Sequence, residues 1–158
     1  MMKVLESRLR RTLLFSLFLL LLSVSAHAGE KAPQGVQLSI GTILASNESD
    51  DFDAKLSKMK KQLEVIKYSS YRLVKEEIQK VPWNGNALFE IPGGRTLAVM
   101  PQEYRNSRVS LKVRLQEGEK PLLDTTVRIR NRGNFLLGGP AHEGGVLILS
   151  ISATLGRK

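Results

Sequence analysis

The side chains that could support catalysis are few in this 158-residue chain. His142 lies in the stretch NFLLGGPAHEGGVLILSIS, residues 134–152, with a glycine pair on either side of it. The other histidine, His27, belongs to the amino-terminal segment considered below, and the chain contains no cysteine. A zinc site would therefore need one imidazole and several carboxylates, which is an uncommon ligand set for structural zinc. We predict no metal site and no cofactor.

Nucleophilic and phosphate-transfer chemistry also lack their usual motifs. There is no G-x-S-x-G sequence to place a serine at a strand-to-helix turn beside the histidine. The glycine pairs Gly93-Gly94 and Gly138-Gly139 lack the spacing of phosphate-binding loops. Asp50-Asp51 and Glu76-Glu77 have the character of helix-cap and surface residues. We predict that the protein is not an enzyme, with a small hydrolase-like enzyme as the alternative.

The amino terminus has the three regions of a secretory signal peptide. Basic residues dominate positions 1–12, leucine and phenylalanine dominate positions 13–24, and Ala26-His27-Ala28 supplies small residues for cleavage. The apolar core of roughly 12 residues is shorter than the about 20 that span a bilayer. We therefore predict a cleaved signal peptide, residues 1–28, and export. The absence of cysteine favours a bacterial periplasm, with the extracellular space as the alternative.

The charge of the mature chain is basic. The signal peptide contributes +3 of the formal +9, which leaves +6 for residues 29–158. Such a balance favours acidic partners, among them lipid head groups, anionic polysaccharides and acidic proteins. Because the chain is predicted to leave the cytoplasm, we expect no nucleic-acid partner.

One segment has the periodicity of an amphipathic helix. Apolar residues recur at spacings of three and four between Phe52 and Ile66, while lysines occupy the other positions. Asp50 or Asp51 is predicted to cap this helix, because a short carboxylate accepts hydrogen bonds from the first-turn backbone N–H groups. We expect the apolar stripe to lie on a sheet.

Most of the remaining chain alternates between apolar and polar residues, and turn residues separate the alternating segments. Val36–Ile40, Leu88–Ile91 and Thr96–Met100 are predicted strands. Tyr68–Lys80 is also predicted to be a strand, with a continuation of the helix as the alternative. The fold class is therefore α+β, with one amphipathic helix packed on a twisted antiparallel sheet of six to eight strands. The predicted organisation is a flexible leader (29–35), a single domain (36–154) and a basic tail (155–158).

The clearest hairpin joins Arg108–Gln116 to Leu122–Arg130. If its turn sets Leu115 opposite Leu123, the apolar residues of both strands share one face and the polar residues share the other. Arg114 then faces Asp124, and the basic residues form a strip on the exposed face. This basic strip is Arg108, Lys112, Arg114, Arg128, Arg130 and Arg132.

The basic strip has two interpretations. Facing like charges cost stability, so an anionic partner that offsets the repulsion would make the strip a docking surface. Alternatively, the long charged side chains only keep the outer face of the sheet soluble. No aromatic residues interleave the strip, so stacking on single-stranded bases is not expected.

Residues 124–152, which include DTTVRIRNRGNFLLGG and GGVLILSIS, resemble the closing strands of secretin domains. Secretins are the outer-membrane channel proteins of bacterial secretion and pilus systems. The resemblance implies apolar strands joined by glycine turns, and it suggests an accessory component of such a machine. It implies no channel, because secretins are far longer. YSSYRL, the Pro-Gly-Gly turn and FLLGGP are similar to small exported bacterial β-rich proteins, a family that implies export and no particular activity.

These observations predict an exported, non-catalytic module of the bacterial envelope. It would bind or assemble with an acidic or protein partner through the basic strip or through an exposed strand edge. The stretch around His142 is predicted to be a structural connection between strands. Valine at Gly138 and Gly139 is therefore expected to reduce stability.

Overall fold

The computed structural model describes residues 34–156, which contain eight strands and one short helical segment. The strands are β1 (Gly35–Ser46), β2 (Ser70–Pro82), β3 (Ala87–Ile91), β4 (Arg95–Arg105), β5 (Arg108–Glu117), β6 (Lys120–Arg130), β7 (Gly133–His142) and β8 (Gly145–Leu155). The predicted signal peptide, most of the predicted leader and the last two residues of the predicted tail lie outside the described residues.

The strands form two antiparallel sheets of four strands each, in the orders β2-β1-β8-β7 and β3-β4-β5-β6. The prediction of a single sheet of six to eight strands is therefore wrong, and the fold is mostly β. Strands that follow one another in the chain remain neighbours, except that backbone pairing is interrupted between β2 and β3 and between β6 and β7. Dividing the strands between two layers lets each sheet bury its inner face against the other.

The main core lies between the two sheets. It contains the inward-facing residues of β1, β3, β4, β5, β6 and β8, together with Val81 at the end of β2. Phe89 is the largest fully buried side chain of this layer, and Leu111 and Leu149 are also fully buried. The alternation seen in the sequence thus marks one buried and one wet face in strands such as β3 and β6, whereas the second half of β1 and the middle of β8 are buried on both faces.

A second, smaller core lies on the outer face of the β2-β1-β8-β7 sheet. A 3₁₀ helix (Ala54–Met59) and a single-turn helix α1 (Lys60–Leu63) cover this face, and we call residues 54–63 the helical cover. Leu56 and Leu63 are fully buried there. Because the helical cover lies over only part of the sheet, the middle of β1 changes from alternating burial to burial on both faces.

The helical cover differs from the predicted helix in length and in its cap. The predicted stripe from Phe52 to Ile66 does face the sheet, but regular helix occupies only residues 54–63. The cap is Asp53, whose carboxylate accepts a hydrogen bond from the Lys55 backbone N–H at 2.9 Å, and not Asp50 or Asp51. Phe52 is held outside the helix by a bridge to Tyr71 of β2.

Polar side chains line the opening between β2 and β3. Lys75 donates to the Glu90 carbonyl oxygen at 3.3 Å, and Gln79 donates to the Leu88 carbonyl oxygen at 2.9 Å. Glu77 lies between them, 3.0 Å from the Lys75 ammonium group. These contacts satisfy backbone carbonyls of the β3 edge, which would otherwise be open to another strand.

The glycine-flanked stretch around His142 is a strand with an irregular pairing, followed by a tight turn. β7 continues through Pro140, with a register shift between Gly138 and Ala141, and the chain turns at Glu143-Gly144. The nearly buried Arg95 of β4 donates to the Ala141 carbonyl oxygen at 3.3 Å and contacts Glu117 at 3.2 Å. The stretch is therefore a structural connection that also ties the two sheets together.

Candidate functional site

The outer face of the β3-β4-β5-β6 sheet carries the predicted basic strip. Leu115 pairs with Leu123, and Arg114 pairs with Asp124, as the alternation predicted. Arg108 pairs with Arg130 in the same register. The hairpin register is therefore confirmed. The turn fixes the pairing, and a shift by one residue would turn the apolar side chains of one strand outward.

Asp124 neutralises one end of the basic strip. Its carboxylate contacts the Lys112 ammonium group and lies 3.1 Å from the Arg114 guanidinium group. The hydrogen bond from Lys112 is the main cause that lowers the pKa of the Asp124 carboxyl group below its ordinary value, and the nearby positive charges act in the same direction. The carboxylate therefore stays ionised at neutral pH, and Lys112 and Arg114 share its single negative charge.

The other end of the face holds four exposed arginines, which we call the arginine cluster: Arg105, Arg108, Arg128 and Arg130. Arg105, Arg108 and Arg130 stand side by side on β4, β5 and β6, and Arg128 occupies the next outward position of β6. Within the described part of the chain, none of the four has a carboxylate within 4.0 Å of its guanidinium group. Four positive charges thus share one end of a sheet face with no salt bridge to a described carboxylate, and Glu103 is the acidic residue that lies among them.

A depression of about 340 Å³ lies within this end of the face. Its lining residues are Glu103, Arg105, Asn106, Arg108, Ser110 and Arg128. Because arginine presents several N–H donors in a fixed fork and always carries its charge, such a site is suited to an anionic group.

The structure places Arg108 and Arg128 of the predicted basic strip at the depression, and the binding role of the strip stays a prediction. Arg132 was predicted to belong to the basic strip, but it occupies the β6–β7 turn with a φ of 64° and does not line the depression. Arg105, Glu103 and Asn106 were missed because the predicted strand ended at Met100. The missed signal was Asn106-Ser107, a two-residue hairpin turn in which both residues have positive φ.

His142 lies at the end of β7, outside the depression. Its Nε2 atom is 3.6 Å from the exposed Glu143 carboxylate, and no contact between His142 and a serine hydroxyl occurs within residues 34–156. Across the same residues, no three histidine or carboxylate side chains come together as metal ligands. No helix in this part of the chain is both long and apolar enough to cross a bilayer.

Comparison with known proteins gives no relative for this chain: no family model, curated protein or solved structure matches it. The resemblance to secretin domains and to small exported bacterial proteins therefore stays a prediction. The class of protein that the fold defines is a two-sheet antiparallel β protein with a short helical cover. Any functional conclusion depends on the chemistry of the arginine cluster.

The neutralising role of Asp124 can be measured directly. Asp124→Asn releases Lys112 and Arg114, and one added unit of positive charge near an anionic surface is worth about 1 kcal/mol, or about fivefold in affinity. We expect the variant to bind immobilised dextran sulfate about fivefold more tightly at low salt. Asp51→Asn, which removes the same charge from a loop of the other sheet, is the control. Equal gains in both variants would show that only net charge matters.

Proposed function

We propose that the protein is an exported, non-catalytic module of the bacterial envelope that binds an anionic polymer through the arginine cluster. The single observation that carries the proposal is the set of four arginines at one end of the outer sheet face, with no carboxylate of the described residues paired to them. Like charges held together in this way repel one another. A bound polyanion offsets that repulsion, so binding stabilises the folded arrangement of the four arginines.

The composition of this face favours a polymer over an acidic protein. Protein interfaces have an apolar centre in which aromatic side chains carry much of the binding energy. Of the exposed large apolar residues in this sheet, Leu88 lies on β3 and Leu122 lies at the start of β6, beyond Asp124 and away from Arg128 and Arg130. Tyr104 pairs with the inward-facing Val109 and so lies on the opposite face from the arginines. The surface thus offers charge and hydrogen bonds without an apolar anchor.

Export and the lack of catalysis rest on other observations. The basic, apolar and small-residue regions of residues 1–28 support export. The non-catalytic role is proposed because the sequence contains no G-x-S-x-G motif to place a serine nucleophile. Neither a hydrolase nor an accessory role in a secretion or pilus machine is favoured by a specific contact.

The test is binding of the mature protein to dextran sulfate at several salt concentrations, with charge reversals inside and outside the cluster. Arg128→Glu changes the local charge by two units, so we expect a loss of about 30-fold at low salt. Arg132→Glu makes the same chemical change in the β6–β7 turn and should cost much less. Wild-type binding should weaken as salt screens the charges.

Two outcomes would contradict the proposal. If the wild type does not bind the polymer at low salt, the arginine cluster is only a solvated face. If Arg132→Glu weakens binding as much as Arg128→Glu, the net charge of the protein and not the cluster is responsible. Capture of acidic proteins in place of the polymer would assign the surface to a protein partner.

A further inference from the structure

The depression in the arginine cluster arises from one short side chain among long ones. Ser110 occupies an outward position of β5, between Glu103 on β4 and Arg128 on β6. Its neighbours at the adjacent outward positions of the same strand are Arg108 and Lys112. Because serine ends at its hydroxyl group while its neighbours extend several bonds further, a pit forms over Ser110. We call this the Ser110 pit.

The walls of the Ser110 pit differ in charge. Arg105, Arg108 and Arg128 bring positive charge and N–H donors, and Asn106 adds an amide group. Glu103 also lines the pit, and within residues 34–156 its carboxylate lies more than 4.0 Å from every lysine and arginine charge. Ser110 itself is only 5% exposed, so its hydroxyl group forms the floor. A ligand in the pit therefore meets several cationic groups and one anionic group.

We propose that the Ser110 pit binds a phosphorylated amino sugar. The phosphate group lies among the three arginines, whose planar forks match the geometry of phosphate oxygens. The ammonium group of the sugar pairs with Glu103, and the hydroxyl groups of the ring meet Asn106 and Ser110. A ligand with a phosphate group alone would leave Glu103 facing a like charge, which costs binding energy.

The size of the pit agrees with this ligand class. Its volume of about 340 Å³ is at the small end of the range of roughly 300–1,000 Å³ found for ligand pockets. That space is large enough for one sugar ring with its phosphate group. The proposal rests on the proposed function, because the same arginines hold the polymer, and it adds a specific group that the polymer or a glycolipid would present.

The decisive variant is Ser110→Leu, which fills the pit and changes no charge. Binding of glucosamine 6-phosphate to the mature protein is measured by calorimetry or by amide chemical shifts. We expect a loss of at least about tenfold in this variant, because a filled pocket cannot accept the sugar without moving packed side chains. Binding of dextran sulfate should be unchanged, because the arginines remain at the surface.

Glu103→Gln tests the ammonium contact without filling the pit. The wild type should bind glucosamine 6-phosphate more tightly than glucose 6-phosphate, and both more tightly than inorganic phosphate. We expect Glu103→Gln to remove the preference for the amino sugar, about fivefold for an exposed charge pair worth about 1 kcal/mol. This variant also provides the test if Ser110→Leu does not fold.

Whether the ligand is a membrane glycolipid or a soluble sugar phosphate is tested with phosphatidylcholine vesicles that contain or lack a lipid-linked glucosamine phosphate. Capture by the loaded vesicles assigns the pit to a membrane glycolipid, and binding of the free sugar phosphate alone assigns it to a soluble ligand. If Ser110→Leu binds glucosamine 6-phosphate as well as the wild type does, the pit is not the site. That result would leave the proposed function intact provided that Arg128→Glu still abolishes capture of dextran sulfate.

Discussion

Replacing Leu63 with alanine is expected to lower the free energy of unfolding by about 3–4 kcal/mol. Leu63 is the last residue of the helical cover and is fully buried against the sheet, in the small core that it forms with Leu56, Ile43 and Ile148. Removing three carbons there loses the transfer free energy of the side chain and leaves a cavity that this small core cannot fill. Chemical denaturation of the wild type and the variant, followed by circular dichroism, measures the difference.

The matched control is Val65→Ala, two residues further along the chain. Val65 is 78% exposed, so its truncation should change the free energy of unfolding by less than about 0.5 kcal/mol. The Leu63→Ala variant should still bind dextran sulfate below its unfolding transition, because the arginine cluster lies on the other sheet. If the two substitutions had equal effects, the helical cover would not be packed on the sheet as described.

Replacing Gly139 with valine is expected to lower the free energy of unfolding by about 3 kcal/mol. A Cβ atom at Gly139 would lie 2.8 Å from the carbonyl oxygen of Leu147, which is closer than real contacts of this kind. That oxygen belongs to the backbone of β8 and cannot turn aside as a side chain would. Thermal unfolding of the variant measures the loss as a lower Tm.

Gly138→Val is the control for the same change at the neighbouring residue. A Cβ atom at Gly138 would have no other heavy atom within 4 Å, and valine suits an extended strand. We expect this variant to be as stable as the wild type or slightly more stable, because glycine loses more backbone entropy on folding. The sequence predicted a loss of stability for valine at both glycines. Equal destabilisation of the two variants would contradict the structure, in which the Leu147 backbone closely approaches Gly139 and not Gly138.

The local sequence pattern was sufficient to predict the pairing of two strands that are joined by a short turn. The alternation of Arg108–Gln116 and Leu122–Arg130 predicted their register, because a shift by one residue would turn every apolar side chain toward water. The strand assignment of Tyr68–Lys80 was also correct, since β2 covers Ser70–Pro82.

The local sequence pattern was not sufficient to predict the length of the helical cover. The spacing from Phe52 to Ile66 is that of an amphipathic helix, and the stripe does face the sheet. The length of regular helix was nevertheless overestimated, because Phe52 is drawn into a bridge with Tyr71 and because Tyr71 donates its hydroxyl to the Leu63 carbonyl oxygen at 2.8 Å. These contacts join segments that are distant in the chain, so periodicity within one segment does not report them.

The candidate site also combines features that the sequence pattern predicted with features that depend on contacts between strands. The outward position of Arg108, Arg128 and Arg130 followed from alternation alone. The contacts of Lys112 and Arg114 with Asp124 could be predicted only in part from the sequence. The hairpin register places Arg114 opposite Asp124, but it does not predict the contact between Lys112 and Asp124. The Ser110 pit was not predictable, since it needs Glu103 from β4 and Arg128 from β6 on either side of one serine.

The sequence by itself determined where most strands lie but not how far they extend, together with the register of the β5–β6 hairpin and the cationic character of its outer face. These properties depend on side chains a few residues apart, whose burial follows a period of two. Only the tertiary structure decided that the strands divide into two sheets and that one end of the basic face is neutralised while the other is free. It also decided that Gly139, and not Gly138, is closely approached. The reason is that these features depend on which distant strands meet, and the free energy of those contacts is not encoded in any single segment.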